Sequence, residues 1–137
     1  MKVVLDTNVL VAGLLTPHGF PARILDLILT GDVVLCFDDR ILAEYRDVLF
    51  RPKFEFGAAD VEAILDYVEA AGTQIVAPPL RAALPDPEDR MFLEVAVAAG
   101  AEYLITGNVR HFPGRERRGI QVVTPREFVE GWTGERD

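Results

Sequence analysis

The chain has 137 residues, of which half are hydrophobic and 26% charged, and its formal net charge is −8. This length suits one domain with a sizeable core, and the composition excludes a disordered or collagen-like chain. The negative charge argues against a broad basic surface for nucleic acid and fits a protein with an acidic, cation-binding site. It is also common among ordinary soluble proteins.

The apolar runs of the chain are short. None is long enough to cross a membrane, and the first one is too short for a signal peptide, so we expect a cytoplasmic protein. The single cysteine, Cys36, lies inside an apolar run and is predicted to be a buried hydrophobic residue. No repeat or long linker divides the chain, so we predict one domain over residues 1–132 and a frayed tail over residues 133–137.

The first predicted strand contains Val3, Val4 and Leu5, an unbroken apolar run typical of a parallel-sheet strand covered on both faces. Asp6 follows this run directly. Parallel sheets bind their ligands just beyond the carboxyl ends of the strands, which makes Asp6 a candidate for a functional site. The alternative is that Asp6 only caps the turn after the strand.

A helix is predicted to begin near Pro21, and a second strand over residues 33–37. Asp38 stands where the N-cap of the next helix belongs, over residues 39–50. In that helix Glu44 lies at the flank of the apolar stripe, so that its carboxylate can reach the edge of the core. It could equally be a solvated boundary residue.

A further helix is predicted over residues 58–71 and a short strand over residues 74–77. Asp86 is predicted to be the N-cap of the following helix. In this helix Asp89 lies on the core-facing stripe at the N-terminal end, so its carboxylate should approach the rim of the sheet. Glu94 lies about 140 degrees from that stripe and is predicted to be exposed.

The last strands are predicted over residues 103–106 and 120–124, and a short helix follows through Val129. Asn108 comes just after the fourth strand, at the same rim as Asp6. Strands that alternate with helices in this way predict a three-layer α/β/α sandwich with a mainly parallel five-stranded sheet.

Two kinds of residue in the C-terminal part carry weaker signals. The isolated histidines, His18 and His111, receive no predicted role. An arginine cluster in the loop before the fifth strand could be a solvated surface or could contact phosphate groups. Its members are Arg110, Arg115, Arg117 and Arg118.

Three acids and one amide can converge on a single rim of this sheet: Asp6, Glu44, Asp89 and Asn108. Carboxylates gathered there would raise one another's pKa unless a cation neutralised them, and hard oxygen ligands suit Mg²⁺ or Mn²⁺. Zinc is disfavoured because the set contains no cysteine or paired histidine. Such a metal could activate water and offset charge on a phosphoryl group, which indicates a phosphodiester substrate.

Longer motifs support this hypothesis: Leu5-Asp6-Thr7-Asn8-Val9-Leu10, then Ala43-Glu44-Tyr45, then Asp86-Pro87-Glu88-Asp89, and finally Ala99 through Asn108. With these motifs the chain resembles PIN-domain ribonucleases, and looks most like the VapC-type toxins of toxin-antitoxin systems. The first three acids of the family match Asp6, Glu44 and Asp89. Its fourth position, commonly Asp, is Asn108 here.

The resemblance implies an endoribonuclease that depends on Mg²⁺ or Mn²⁺ and leaves a 5′-phosphate, forms a homodimer, and is inhibited by a cognate antitoxin. It implies a metal held by the three acids and catalysis by the same acids with Asn108. Because Asn108 is neutral, we expect one tightly held ion and a second recruited by the substrate. Supporting roles are expected for Asn8, Thr106 and Asp86.

Three other functions compete with a metal-dependent ribonuclease. A phosphatase or phosphotransferase with Asp6 as nucleophile would need a second acid two residues later, where Asn8 stands. A dinucleotide-binding enzyme is disfavoured because no glycine-rich turn follows the first strand. A PIN-like domain that binds RNA or a protein without cleavage stays open, because of Asn108 and the acidic surface.

Overall fold

The centre of the molecule is a five-stranded sheet in which every paired strand is parallel, in the order β3-β2-β1-β4-β5. The computed structural model describes residues 1–136, with side chains for residues 1–133. Because β1 lies in the middle, with β2 and β3 added on one side of it and β4 and β5 on the other, the strand order reverses at β1, and its carboxyl end is where a ligand site is expected. The strands are β1 (Lys2–Leu5), β2 (Val34–Phe37), β3 (Thr73–Gln74), β4 (Tyr103–Ile105) and β5 (Gln121–Val123).

Six helices accompany the sheet, and the predicted α/β architecture is confirmed. The helix over residues 7–15 was not predicted, and the helix expected directly after Asp86 begins only at Arg90, because Asp86 caps a 3-10 turn, Pro87–Asp89. In addition, β3 ends at Gln74, and the last helix continues far beyond Val129. Asp137, in the predicted frayed tail, lies outside the described residues. The helices are α1 (Thr7–Leu15), α2 (Phe20–Leu29), α3 (Asp39–Leu49), α4 (Ala58–Ala71), α5 (Arg90–Ala99) and α6 (Pro125–Arg136).

Local sequence signals determine how the helices start and stop around the sheet rim. Asp38 caps α3, as predicted, because its Oδ1 accepts the backbone N–H of Ile41 at 2.9 Å. Gly100 ends α5 with a φ of +63°, a left-handed conformation that suits glycine. The chain then returns into β4, which places the N-terminal end of α5, and therefore Asp89, at the rim where β1 and β4 end.

The interior is apolar and continuous. Val3, Val4 and Leu5 are fully buried, as predicted for a strand covered on both faces. Cys36 is also fully buried, as predicted, and burial raises the pKa of its thiol. Within residues 1–136, no helix is long and apolar enough to span a membrane.

Glu94 was predicted to be exposed, and this prediction is wrong because the residue is only 2% exposed. The irregular segment of residues 75–86 packs back onto α5, and the backbone N–H of Leu80 donates to Glu94 Oε2 at 2.7 Å. Arg40 Nη1 lies 2.7 Å from the other carboxylate oxygen. The prediction treated α5 as a helix with one buried face, whereas five successive residues of α5, Phe92–Ala96, are buried.

Candidate active site

Asp6 is the most buried acid at the rim of the sheet, with 5% of its surface exposed. It stands between β1 and α1, yet its side chain caps no backbone N–H of α1. Instead, the Thr106 hydroxyl, just beyond β4, donates to Asp6 Oδ2 at 2.7 Å. The turn-capping alternative is therefore wrong, and Asp6 Oδ1 accepts no hydrogen bond from the described residues.

Glu44 is brought beside Asp6 by two contacts between α3 and the end of β1. The buried Tyr45 hydroxyl donates to the carbonyl of Leu5 at 2.5 Å, and the Thr7 hydroxyl donates to Glu44 Oε2. Burial raises the pKa of the Glu44 carboxyl, the Thr7 bond lowers it, and the negative charge of Asp6 raises it further, with a net rise. Glu44 is thus half-buried at the edge of the core, with its carboxylate held by Thr7 next to Asp6.

Asp89 completes the set of acids, and its side chain is 13% exposed. Burial raises the pKa of Asp89, the charge of Asp6 raises it further, and the contact with His111 lowers it in part, with a net rise. The imidazole Nδ1 of His111 lies 3.0 Å from Asp89 Oδ2. No role was predicted for His111, because an isolated histidine 22 residues along the chain carries no spacing signal.

The structure divides the predicted supporting residues into two groups. Thr106 contacts Asp6 directly, and Asp86 accepts the Glu88 backbone N–H at 2.9 Å next to Asp89. The side chains of Asn8 and Asn108 are exposed, and neither makes a hydrogen bond within the described residues. Thr7 was missing from the predicted set, although it belongs to the Asp-Thr-Asn motif that drew attention to this stretch.

The four arginines predicted to contact RNA differ in whether their side chains bind the protein's own backbone. Arg117 Nε donates to the carbonyl of Phe112 at 2.7 Å, and Arg118 Nη2 donates to the carbonyl of Arg81 at 2.7 Å. Both therefore tie the loop to the protein. Arg110 is exposed, and Arg115 is 82% exposed with only a distant contact to Glu116 at 3.8 Å. Only these two have guanidinium groups that make no bond to the backbone.

Asp6, Glu44 and Asp89, here called the site acids, have the donor chemistry of a hard-cation site. Each has one oxygen held by a protein donor and one that accepts no hydrogen bond within residues 1–133. No described lysine or arginine forms an ion pair with them. In the same residues, no three His, Cys, Asp or Glu side chains are grouped closely enough to hold a metal, so a shared cation stays a prediction.

A family model described as the PIN domain matches residues 2–110. The matched part contains all three site acids, Thr106 and Asn108. The chain belongs to the PIN-domain family. Members of this family are generally hydrolytic nucleases that use divalent metal ions.

Individual relatives agree with this assignment. MJ1680, an uncharacterised protein of Methanocaldococcus jannaschii, is 30% identical over 95% of this chain and 90% of its own length. Among solved structures, VapBC2 from Rickettsia felis bound to a promoter DNA fragment is 17% identical, with a TM-score of 0.56 over 90% of this chain and 98% of the other. FitAB bound to the IR36 DNA fragment is 19% identical, with a TM-score of 0.61 over 90% and 94%. These two likenesses establish the fold of the PIN domain.

Proposed function

We propose that this PIN-domain protein is an endoribonuclease that uses Mg²⁺ or Mn²⁺ to hydrolyse RNA phosphodiester bonds. The observation that carries the proposal is the geometry of the site acids, each of which keeps one oxygen that accepts no hydrogen bond within residues 1–133. They lie close enough that the charge of Asp6 raises the pKa of both Glu44 and Asp89, while no described lysine or arginine pairs with them. Mutually repelling, partly buried carboxylates at the end of a central strand are typical of a functional site that is completed by a cation.

The residues divide this task in a simple way. The site acids would hold the cation through the oxygens that accept no hydrogen bond, while the Thr7 and Thr106 hydroxyls fix the opposite oxygens. A divalent ion in such a site lowers the pKa of water and offsets negative charge on the phosphodiester. Of the four arginines predicted to contact RNA, Arg110 and Arg115 are exposed and make no bond to the backbone, and we assign them to RNA phosphate contacts.

We further propose that the protein is the toxin of a toxin-antitoxin pair. The structural neighbours VapBC2 and FitAB are toxin-antitoxin complexes, which supports a cognate antitoxin as the partner. Homodimer formation and a 5′-phosphate product, implied by the family resemblance, belong to the same proposal. Growth arrest on expression of the chain alone, relieved by co-expression of a small neighbouring reading frame, is the expected result.

The enzymatic proposal is tested by RNA cleavage during a titration of Mg²⁺ and Mn²⁺ into metal-free protein. Cleavage should require the metal, stop in excess chelator, and be lost in Asp6→Asn. A matched pair on α3 controls for charge: Glu44→Gln should lose activity, whereas Asp47→Asn should retain it, because the Asp47 side chain is 73% exposed and pairs only with Arg51. Unchanged cleavage by Asp6→Asn, or cleavage that persists in chelator, contradicts the proposal.

A second candidate is a PIN domain that binds RNA or a protein without cutting RNA. Two observations favour it: an exposed amide, Asn108, occupies the fourth position, and no described group of three potential ligands is gathered as a metal site. The same assay separates the two candidates. Saturable RNA binding without cleavage at any metal concentration would select the binding domain.

A further inference from the structure

One short segment, residues 106–111, connects two of the site acids through hydrogen bonds. At its start the Thr106 hydroxyl donates to Asp6 Oδ2 at 2.7 Å and accepts the backbone N–H of Asn108 at 2.9 Å. At its end the backbone N–H of His111 donates to the carbonyl of Asn108 at 2.9 Å, and the His111 ring contacts Asp89. The segment therefore spans the distance between β1 and the start of α5.

We propose that His111 is a positioning residue that fixes the Asp89 carboxylate for a divalent cation. An ionised carboxylate only accepts hydrogen bonds, so in the metal-binding form of Asp89 the proton of its 3.0 Å contact with His111 belongs on Nδ1. This bond occupies one oxygen of Asp89 and leaves Oδ1 as the ligand atom. The inference rests on the proposed function, because it assigns a role in holding the metal to a residue that does not itself bind it.

The position of His111 is itself fixed by its neighbours. It lies in a 3-10 turn, Val109–His111, that is closed by the Phe112 backbone N–H bonding to the carbonyl of Val109 at 3.0 Å. Phe112 is fully buried, and its carbonyl accepts Arg117 Nε at 2.7 Å. The His111 side chain is 42% exposed, so the anchored turn fixes the backbone from which the ring reaches Asp89, and the contact with Asp89 orients the ring.

The role of Thr106 and His111 is therefore parallel. Thr106 holds Asp6 and His111 holds Asp89, each through one carboxylate oxygen, and both belong to the same segment. Partners that orient metal ligands in this way typically change metal affinity by about 10- to 100-fold when they are removed.

The test measures Mn²⁺ affinity of metal-free protein by calorimetry and by electron paramagnetic resonance, without RNA. His111→Leu, which has no donor, should bind Mn²⁺ at least about tenfold more weakly than the wild type. His111→Asn can place an amide N–H near the original Nδ1 and should stay within about threefold of the wild type. His18→Asn, at the only other histidine, is the matched control and should leave Mn²⁺ affinity unchanged.

A readout that needs no metal follows the ring itself. In ¹⁵N NMR of the metal-free protein at a pH of about 8, the His111 ring should carry its proton on Nδ1, and Asp89→Leu should abolish this preference. Equal Mn²⁺ affinity in His111→Leu and the wild type, or a proton on Nε2, overturns the role of His111.

Kinetics separate this role from direct RNA contact. In His111→Leu the activity loss should be recovered by raising Mn²⁺, with the KM for RNA unchanged. A raised KM with normal Mn²⁺ affinity would overturn positioning in favour of an RNA contact. If wild-type protein binds no Mn²⁺, the proposed function fails as well. If the wild type binds Mn²⁺ and cleaves RNA, and His111→Leu does both equally well, only the positioning role of His111 is refuted.

Discussion

Two groups of acids lie in this molecule, and they differ in how their charge is balanced. In the Arg40 network (Asp38, Arg40 and Glu94), Arg40 reaches Asp38 Oδ2 and Glu94 Oε1, both at 2.7 Å. Backbone N–H groups of Ile41 and Leu80 occupy the remaining oxygens. The site acids receive only hydroxyl and imidazole donors, and each keeps one oxygen that accepts no hydrogen bond from the described residues.

This difference separates acids that hold the fold from acids that await a ligand. A buried carboxylate that has an arginine and two hydrogen-bond donors is satisfied within the protein. Burial, and in addition the charge of Asp6, raise the pKa values of Glu44 and Asp89, which form no ion pair with an arginine, and a bound cation would favour their ionised forms. Burial alone does not distinguish the two, because Glu94 and Asp6 are both almost completely buried.

The largest expected effect comes from neutralising a site acid. Asp89→Asn should lower kcat/KM for RNA by about a thousandfold, because it removes a charged metal ligand whose contribution is several kcal/mol. Its fold should not weaken, since the raised pKa of Asp89 means that its charge is unfavourable in the metal-free protein. The measurements are cleavage of a fluorescent RNA and urea unfolding. If Asp89→Asn lost stability as well as activity, Asp89 would be an acid that holds the fold, as Glu94 is.

The reverse pattern is expected for the Arg40 network. Glu94→Gln should lower the free energy of unfolding by about 2–4 kcal/mol, because an NH2 donor then replaces one of the two carboxylate oxygens that accept from Arg40 and from the Leu80 N–H. Glu102→Gln, on the exposed surface, is the control and should change stability by less than about 0.5 kcal/mol. Urea unfolding measures both, and Mn²⁺ affinity should be unchanged in the folded fraction. Loss of Mn²⁺ binding in Glu94→Gln would remove the distinction between the two groups.

The five-stranded, mainly parallel sheet and the rim at which Asp6, Glu44 and Asp89 lie could be predicted from the sequence, whereas the order of the strands was not predicted. Continuous apolar runs identify buried parallel strands, and the carboxyl ends of such strands share one edge. The capping role of Asp38 was also predictable, since the N-cap signal is local. These features depend on periodicity and short-range chemistry.

What the sequence could not predict depends on contacts between distant segments. Glu94 is buried because residues 75–86, which have no periodic pattern, return across α5. His111 meets Asp89 because the turn after β4 is anchored by Phe112. Asn108, the residue that motif alignment selects, has an exposed side chain and contributes through its backbone. For Glu94 and His111, tertiary packing determines the role of a residue whose local sequence gives no signal, whereas for Asn108 the motif gives a signal that the exposed side chain does not follow.

Metal-dependent stability gives a third, intermediate effect. Mn²⁺ at a concentration of 100 times its Kd should stabilise the wild type by about 2.7 kcal/mol, since it binds the folded state only. Glu94→Gln should gain the same increment from its lower starting point, whereas Asp6→Asn should gain almost none. Thermal unfolding with and without Mn²⁺ measures the increments. An equal increment in Asp6→Asn would mean that Mn²⁺ binds elsewhere.

The smallest effect, and the most direct test of these raised pKa values, is the pH dependence of the metal-free protein. The folded-state pKa values of Glu44 and Asp89 are raised, so between their unfolded and folded pKa values the folded chain holds protons that the unfolded chain has released. This contribution to stability is therefore fully present below the unfolded-state carboxyl pKa values, which are about 4. It is lost as the pH rises through the folded-state pKa values of Glu44 and Asp89.

The double variant Glu44→Gln/Asp89→Asn is the reference for this measurement. The difference between its urea midpoint and that of the wild type, taken at each pH, isolates the contribution of Glu44 and Asp89 from that of every other acid. The wild type should lose stability relative to the double variant as the pH rises through that window. Saturating Mn²⁺ should reverse the sign for the wild type alone, because protons then compete with the metal for the same carboxylates. A difference that does not change with pH would mean that ionising Glu44 and Asp89 costs the folded protein no more than the unfolded chain.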